Sequence, residues 1–353
     1  TMKNLSIILG LLLVIQPNLF AQSCQDLLLA IQNNDVAKVK ALLKSTPPNC
    51  IYRNRTLQPR TPLGMAAKTG QVAIGKLLLS AQARVSFRYS NDASALMIAA
   101  ENGHEDFVRL LLANGAKVNR KIKGDGTPLI AAARGNNYNI VKLLLDKGAK
   151  PNRAVNQDGT PLIIAVRKGN ARVVKLLLDK GANPRQAVSG DGSPVIMTNS
   201  VEVLKLLLKA GVDVNQELDG DGTPLIRAAS NGNLALVKAL VQAGAKVNKS
   251  SKGDGTPLIA AAKGGYLSIV KYLIASGAQI DAHLIGDENP LIQAASNGHL
   301  TVVKYLVSQG ADVNKTVRSG YYLNSEKRNA LKMAQRGGHT EVSAYLKSVG
   351  AKE

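Results

Sequence analysis

The stretch TPLIAAARGNNYNIVKLLLDKGA, residues 127–149, decides the fold because close copies of it recur along most of the chain. Full copies of its Thr-Pro-Leu opening begin at Thr61, Thr127, Thr160, Thr223 and Thr256, and degenerate copies begin at Ser94, Ser193, Asn289 and Asn329. Of the eight intervals between these starts, six span 33 residues, one spans 30 and one spans 40. A nearly fixed period of this length predicts stacked structural repeats.

Each copy predicts a pair of helices. The Thr127 side chain can accept from a backbone N–H two or three residues later, and Pro128 occupies the first helical position, where no N–H is needed. Asn136 ends this short helix, and other copies carry a glycine there, which supplies a left-handed cap. A second helix follows over 140–145 and is closed by Gly148. Neither helix can bury its apolar side alone, so successive pairs must stack.

These segments resemble the ankyrin repeat family over residues 24–353, in Thr-Pro-Leu, the Ala-Ala pair, Val-Lys-Leu-Leu-Leu and Gly-Ala-x-Val-Asn. The resemblance implies an all-α solenoid of helix-turn-helix pairs with β-hairpin or loop fingers. A capping helix pair would occupy 22–54, and about nine repeats would occupy 55–353, the last with an extended finger at 316–328. The implied function is non-enzymatic protein–protein interaction.

Three features depart from the family pattern. The family's His after Thr-Pro-Leu is replaced by Ile130, Ile163, Ile226, Ile259 and Ile292. The usual finger turn is replaced by Gly-Asp-Gly at 124–126, 190–192, 220–222 and 253–255, so these tips are expected to differ from ordinary ankyrin fingers. The 30-residue interval after Ser193 predicts that one first helix turns early, near 196–201.

The last repeats, GDENPLIQAASNGHL at 286–300 and ALKMAQRGGHTEV at 330–342, resemble ankyrin segments attached to bacterial membrane sensor peptidases of the antirepressor type. That resemblance implies an envelope sensing or inhibitory role. The chain contains no His-Glu-x-x-His motif, so proteolysis is not implied.

Residues 1–21 have the pattern of a secretory signal, with Lys3, an apolar run over 5–15 and a small-residue exit at Ala21. The run is shorter than the ~20 residues that span a bilayer. The pattern predicts cleavage after Ala21 and export to the periplasm or outside the cell. The alternative is a lipoprotein modified at Cys24, although Ala21-Gln22-Ser23 lacks the Leu expected three residues before a lipidated Cys.

Cys24 and Cys50 are the two cysteines of the chain. Cys24 begins the first predicted capping helix and Cys50 follows the second, so antiparallel packing would bring them together. In an oxidising compartment they are expected to form a disulfide. The alternative is two unpaired thiols.

The formal net charge is +21, and part of it forms a row of lysines at one position of successive second helices. The row comprises Lys142, Lys175, Lys205, Lys238, Lys271 and Lys304. Such a row is typical of a solvated outer face rather than a binding site.

The cations predicted to bind a partner lie where an ankyrin stack presents its concave surface. At the ends of first helices they are Lys68, Arg134, Arg167, Lys168, Arg227, Lys263 and Arg336, and near the tips they are Arg120, Lys123, Arg153, Lys249 and Lys252. Tyr321 and Tyr322, in the longest interval, are further candidates because Tyr is enriched in binding hot spots. Alternatively, that insertion folds over the edge of the last repeat.

The sequence does not favour a phosphate site, a metal site or a catalytic site. A phosphate loop needs free backbone N–H groups, and the proline after each threonine removes one of them. Each Gly-Asp-Gly tip offers one carboxylate, which is too few to bind calcium. A turn is therefore the favoured interpretation of these tips. Three of the four histidines, His104, His299 and His339, follow a glycine between helices, where the resemblance implies capping and packing. No catalytic grouping and no cofactor site is predicted.

The sequence therefore predicts an exported ankyrin module that binds an acidic patch of a protein through a basic concave surface. Two alternatives stay open, namely binding of anionic envelope polymers or lipid head groups, and action on host proteins as a secreted effector. Nucleic acid is disfavoured by the export signal and by the lack of aromatic residues among the basic ones.

Overall fold

The computed structural model describes residues 22–52, 61–88, 93–122, 124, 126–156, 158–218, 220, 222–283, 289–318 and 327–352. The chain divides into two units. Unit 1 comprises Thr1–Asn183 and Val188–Asp191, and unit 2 comprises Pro184–Ala187 and Gly192–Glu353. In both units the described residues form consecutive helix pairs, so the predicted all-α repeat fold is confirmed.

The first helices of successive repeats pack side by side within each unit. In unit 1 they are α3 (Pro62–Thr69), α5 (Ala95–Asn102), α7 (Pro128–Arg134) and α9 (Pro161–Arg167). In unit 2 they are α11 (Pro194–Met197), α13 (Pro224–Ser230), α15 (Pro257–Lys263), α17 (Pro290–Ser296) and α19 (Ala330–Arg336). Their alanines are almost completely buried, which allows neighbouring helices to approach closely.

The second helices form a parallel row in each unit. In unit 1 they are α4 (Val72–Ser80), α6 (Glu105–Ala113), α8 (Tyr138–Asp146) and α10 (Ala171–Asp179). In unit 2 they are α12 (Val201–Lys209), α14 (Leu234–Gln242), α16 (Leu267–Ala275), α18 (Leu300–Ser308) and α20 (Thr340–Ser348). Each buries a Val or Ile and a Leu against the first helices. Nowhere in the described part of the chain is a helix long and apolar enough to cross a membrane.

The helix ends follow the predicted capping chemistry. The side-chain oxygen of the first repeat residue accepts from the N–H three residues later at 2.8–3.3 Å in eight repeats. These residues are Thr61, Ser94, Thr127, Thr160, Thr223, Thr256, Asn289 and Asn329. Asn136 has the predicted left-handed conformation at φ 61°, and Gly169 has it at φ 69°. Both helix ends are therefore set by local sequence.

The repeat that begins at Ser193 is the exception. Its first helix, α11, has only four residues, and the chain turns at Thr198 with an extended backbone. Ser193 does not cap this helix, and its hydroxyl instead hydrogen bonds to Gln216 Oε1 at 3.0 Å. The early turn predicted from the short interval is confirmed.

Two helices, α1 (22–32) and α2 (Val36–Leu42), precede the first repeat. Cys24 and Cys50 form a disulfide with Cα atoms 5.9 Å apart, and both side chains are buried. The bond ties the start of α1 to the segment after α2. The predicted signal at 1–21 and residues 53–54 of the predicted cap lie outside the described residues.

An asparagine near the end of most repeats bonds to the next repeat through both groups of its side chain, an arrangement we call the asparagine clamp. Asn152 Nδ2 donates to Gly181 O at 2.9 Å, and its Oδ1 accepts from Asn183 N at 2.6 Å. The same clamp is formed by Asn49, Asn119, Asn215, Asn248 and Asn314. It satisfies two backbone groups between repeats.

Arg185 occupies the clamp position in the first segment of unit 2. Its Nε donates to Gly211 O at 3.1 Å. Arginine has no acceptor, so it cannot make the second bond of the clamp. The nearby Asp213 side chain accepts instead from Asn215 N at 2.8 Å.

Candidate partner-binding surface

Four of the tips between repeats are each closed by one isolated antiparallel bridge. Ile122 pairs with Gly126, Val155 with Gly159, Leu218 with Gly222 and Ser251 with Gly255. A side chain at Gly126 would place its Cβ 2.8 Å from Ile130, which is fully buried. The isoleucine that replaces the family's His thus packs beneath a tip that requires glycine.

The aspartates of the tips do more than the sequence predicted. The Gly-Asp-Gly segments were predicted to be turns in which glycine supplies positive φ and aspartate tolerates it. Gly190, Gly192, Gly253 and Gly255 have positive φ, whereas Asp191 and Asp254 do not, and Asp125 and Asp221 lie outside the described residues. The turn is confirmed, and at Asp191 and Asp254 the flanking glycines alone provide the positive φ. The carboxylates are free to bond across repeats.

Arg134, at the end of α7, makes such a bond. Its guanidinium lies 2.8 Å from Asp158 Oδ1 and 3.7 Å from Glu101 Oε2. The Asp158 side chain is 8 % exposed and that of Arg134 is 28 % exposed. Arg134 therefore links three successive repeats in addition to being a predicted binding residue.

Arg167 occupies the equivalent end of α9 and lies 3.7 Å from Asp191 Oδ1. The other oxygen of Asp191 accepts from Gly159 N at 3.1 Å, so this carboxylate also bonds to the preceding tip. The Arg167 side chain remains 41 % exposed and available to a partner.

The remaining candidates of unit 1 differ in exposure. Lys68 and Lys168 are exposed, and Arg120 and Arg153 are half-buried beside the tips. Lys123 lies outside the described residues.

In unit 2, Lys249 is held at its tip by two contacts. Its Nζ lies 3.2 Å from Glu217 Oε2 and donates to Asn215 O at 2.8 Å. The other candidates of this unit are half-buried Arg227 and the exposed Lys252, Lys263 and Arg336.

A polar groove of about 270 Å³ lies between first helices and tips of unit 2. It brings together two predicted binding residues, Arg227 and Lys263, with the tip carboxylate of Asp254. The remaining lining residues are Gly220, Ile226, Ser230, Asn231, Gly253, Ile259, Ala260 and Gln293. This groove could not be predicted from a single repeat, because its walls come from three repeats.

Tyr321 and Tyr322 lie outside the described residues. The described part of the last finger consists of β1 (Val317–Arg318) and β2 (Lys327–Arg328), which pair antiparallel. The predicted extended finger thus has a two-stranded base, and the role of its tyrosines stays a prediction.

The row of lysines on the second helices is exposed, as predicted, but it also makes contacts that its spacing does not predict. In unit 2 three of these lysines lie over tyrosine rings of the next repeat, at 5.4–5.8 Å from the ring centres. The pairs are Lys238 with Tyr272, Lys271 with Tyr305 and Lys304 with Tyr345. In unit 1, Lys175 pairs with Asp179, and the hydrogen bond from Lys180 to Asp146 lowers the pKa of the Asp146 carboxyl.

The histidines between helices have the structural role that the resemblance implied. His104, His299 and His339 each donate from Nε2 to a carbonyl of the preceding repeat, on Lys68, Lys263 and Ser296, at 2.9–3.0 Å. They cap the ends of neighbouring first helices rather than their own helices. Across the described ranges, no three His, Cys, Asp or Glu side chains are grouped to hold a metal ion.

Comparison with protein families agrees with this architecture. A family model described as ankyrin repeats (3 copies) matches residues 27–122, 121–187, 195–283, 247–317 and 283–352. The matches together cover most of the chain. A search of curated proteins found no match.

Proposed function

Because the chain belongs to the ankyrin repeat family, whose repeats act as protein–protein interaction modules, we propose that it captures an acidic partner protein through its first-helix and tip cations. The candidate surface has cations at the ends of first helices and beside the tips in both units. Its mechanism is rigid display, in which the repeats of each unit hold the cations of that unit at fixed spacing before the partner arrives.

The observation that carries this proposal is the set of exposed cations at the ends of first helices, Lys68 and Lys168 in unit 1 and Lys263 in unit 2. Lys68 and Lys168 lie three repeats apart along unit 1, so they can contact separate acidic groups of one partner, and Lys263 supplies a contact in unit 2. The sequence of unit 1 adds long-range attraction, with 26 Lys and Arg against 11 Asp and Glu, compared with 19 against 13 in unit 2. Such a field raises association rates with acidic surfaces.

We also propose that the protein acts after export, in the periplasm or outside the cell. The signal-like segment at 1–21 and the buried Cys24–Cys50 disulfide both support this location, because disulfides persist in oxidising compartments. The likeness of the last repeats to ankyrin segments of antirepressor-type sensor peptidases favours an envelope partner. Action on host proteins as a secreted effector would use the same surface.

Charge reversal tests the surface. We expect Lys68→Glu, Lys168→Glu and Lys263→Glu together to abolish capture of the partner from envelope extract. The matched variant Lys142→Glu, Lys175→Glu and Lys205→Glu changes the same net charge on second helices and should retain capture. Circular dichroism of both variants checks that the fold is intact.

One observation favours a second candidate, the binding of anionic polymers or lipid head groups, and that is the net charge of +21. Binding of this kind depends on the total charge rather than on its position, so the two triple variants should lose equal amounts of binding affinity. It also predicts association without fixed stoichiometry that disappears at high salt. A complex of defined stoichiometry in analytical ultracentrifugation supports the protein partner.

A further inference from the structure

A second groove, of about 380 Å³, lies between two second helices of unit 1, α6 and α8. Its apolar wall consists of Leu112, Ala113, Ala116, Val118 and Leu143. Two cations complete the lining, Arg109 from α6 and Lys147 at the end of α8. None of these residues is among the cations proposed above to bind a protein, so this groove is a separate surface of unit 1.

Lys147 lacks the acidic neighbour that the corresponding lysine has one repeat later. There, Asp146 at the end of α8 lies 2.8 Å from Lys180. The residues 33 positions earlier are Ala113 and Lys147. Ala113 supplies no carboxylate, and within the described part of the chain no ion pair or hydrogen bond engages the Lys147 ammonium group. A bound anion would therefore take the place that Asp146 has in the next repeat.

Arg109 already has a carboxylate partner. Its Nε and Nη2 donate to Glu105 Oε1 at 3.1 and 2.5 Å. Its aliphatic stem can line the groove while its guanidinium stays with Glu105. The anionic group of a ligand is therefore expected at the exposed Lys147 rather than at Arg109.

The lining also decides the chemical class of the ligand. Apart from the two cations, its side chains carry no hydrogen-bond donor or acceptor. A peptide segment or a sugar would place amides or hydroxyls against these side chains without partners, which is unfavourable. A hydrocarbon chain has no polar group to satisfy, and the volume lies within the roughly 300–1,000 Å³ of small-molecule sites. The groove therefore favours an amphiphile with one anionic head.

We propose that this groove binds a fatty carboxylate of medium chain length. The hydrocarbon chain packs on Leu112, Val118 and Leu143, and the carboxylate accepts a hydrogen bond from Lys147 Nζ. This activity goes beyond the capture of a protein, because it uses second helices rather than first helices and tips.

The test is an NMR titration of the methyl-labelled full chain with decanoate at neutral pH, below its micelle concentration. We expect saturable shifts at the methyl groups of Leu112, Val118 and Leu143. Hexanoate should bind at least about ten-fold more weakly, because each buried methylene contributes about four-fold. Acetyl-Leu-Glu-amide, which has the same charge and an apolar side chain, should also bind more weakly. An absence of saturable shifts with decanoate, or tighter binding of the peptide, overturns the proposal.

Ala113→Asp copies Asp146 and should pair with Lys147. It should weaken decanoate binding about ten-fold or more, because it engages the cation and adds a like charge beside the ligand. Ala275→Asp makes the same substitution at the equivalent position of α16, where Gln309 stands in place of the lysine, and should leave binding unchanged. Equal weakening in both variants would show that net charge alone attracts decanoate, and the site would be wrong.

Lys147→Gln separates the head-group contact from the apolar contacts. It should weaken decanoate binding about five-fold and leave binding of decanol unchanged, since decanol has the same chain but no charge. Circular dichroism checks that each variant is folded. If Lys147→Gln weakens both ligands equally, or neither, the carboxylate does not lie at Lys147 and the proposal fails.

Discussion

Units 1 and 2 share their period, helix caps and buried core, yet they differ in the balance of polar links between neighbouring repeats. In unit 1 the described links include the ion pairs of Arg134 with Asp158 and Lys180 with Asp146, beside one arginine over a tyrosine ring, Arg172 with Tyr138. In unit 2 three lysines of the second helices lie over tyrosine rings, the ion pair of Lys249 with Glu217 lies at the tips, and Ser230 takes the place of Arg134. The core is held constant while the polar links vary.

This difference suggests a division of work between the units. Most of the excess positive charge is in unit 1, which suits it to attract an acidic partner over distance. The groove of unit 2 brings Arg227 and Lys263 close to the Asp254 carboxylate.

The largest effect is expected in the shared core. Leu144 in α8 and Leu240 in α14 occupy equivalent positions and are both fully buried. Replacement of either by alanine should lower the free energy of unfolding by roughly 2–5 kcal/mol, and by similar amounts in the two units. Urea denaturation of each variant measures this. A difference of more than about 1 kcal/mol between the two would break the claim of equivalent cores.

The Cys24–Cys50 disulfide should stabilise only the start of unit 1. Cys24→Ser with Cys50→Ser removes a link that closes 26 residues and should cost on the order of 3 kcal/mol locally. Hydrogen exchange should accelerate in α1 and α2, while α14 and α16 keep wild-type protection. Acceleration throughout unit 2 would contradict nearest-neighbour stabilisation.

Removal of the ion pair between Arg134 and Asp158 should lower the free energy of unfolding by less than the changes in the core or the disulfide. Arg134→Ser copies the residue of unit 2 and leaves the nearly buried Asp158 without its cation, which should cost about 1–3 kcal/mol. The estimate is below that for fully buried pairs because Arg134 is 28 % exposed. The double variant with Asp158→Asn should recover most of the loss in urea denaturation, since no uncompensated charge remains. If Arg134→Ser has the same free energy of unfolding as the wild type, the pair of Arg134 and Asp158 contributes no net stability.

The smallest effect concerns the exposed pair of Lys180 and Asp146. Because the hydrogen bond from Lys180 lowers the Asp146 pKa below its ordinary 3.8, the pair stabilises the fold above that pH and loses its effect as the pH falls through the lowered pKa. Carboxyl NMR titration should place the Asp146 midpoint below 3.8. Lys180→Gln should move it upward, and an unchanged midpoint would exclude the hydrogen bond as the cause.

The sequence predicted the features that depend on neighbouring residues. The threonine caps, the left-handed Asn136, the early end of α11 and the proximity of Cys24 to Cys50 all follow from short motifs and their spacing. These are local rules, so a single repeat contains all the information that they need.

Contacts between repeats were predicted less well. Gly-Asp-Gly at 190–192 looks like a turn in isolation, and only the packing of residues 24 positions apart shows that Asp191 lies 3.7 Å from Arg167. The tyrosines beneath the lysine row went unnoticed for the same reason. The assignment of individual cations to partner binding stays a prediction, because binding depends on a molecule that the sequence does not specify.

The asparagine clamp has a consequence for how such a chain can change in length. Each clamp presents the same donor and acceptor to whatever repeat follows, so duplication or loss of one 33-residue unit between two clamps would rejoin matching ends. The joints at Arg185 and Asp281 lack this property, since Arg185 donates to Gly211 but cannot accept, and the Asp281 carboxylate accepts from Asp312 N but cannot donate. Repeat number can therefore drift within a run of clamps more easily than across Arg185 or Asp281.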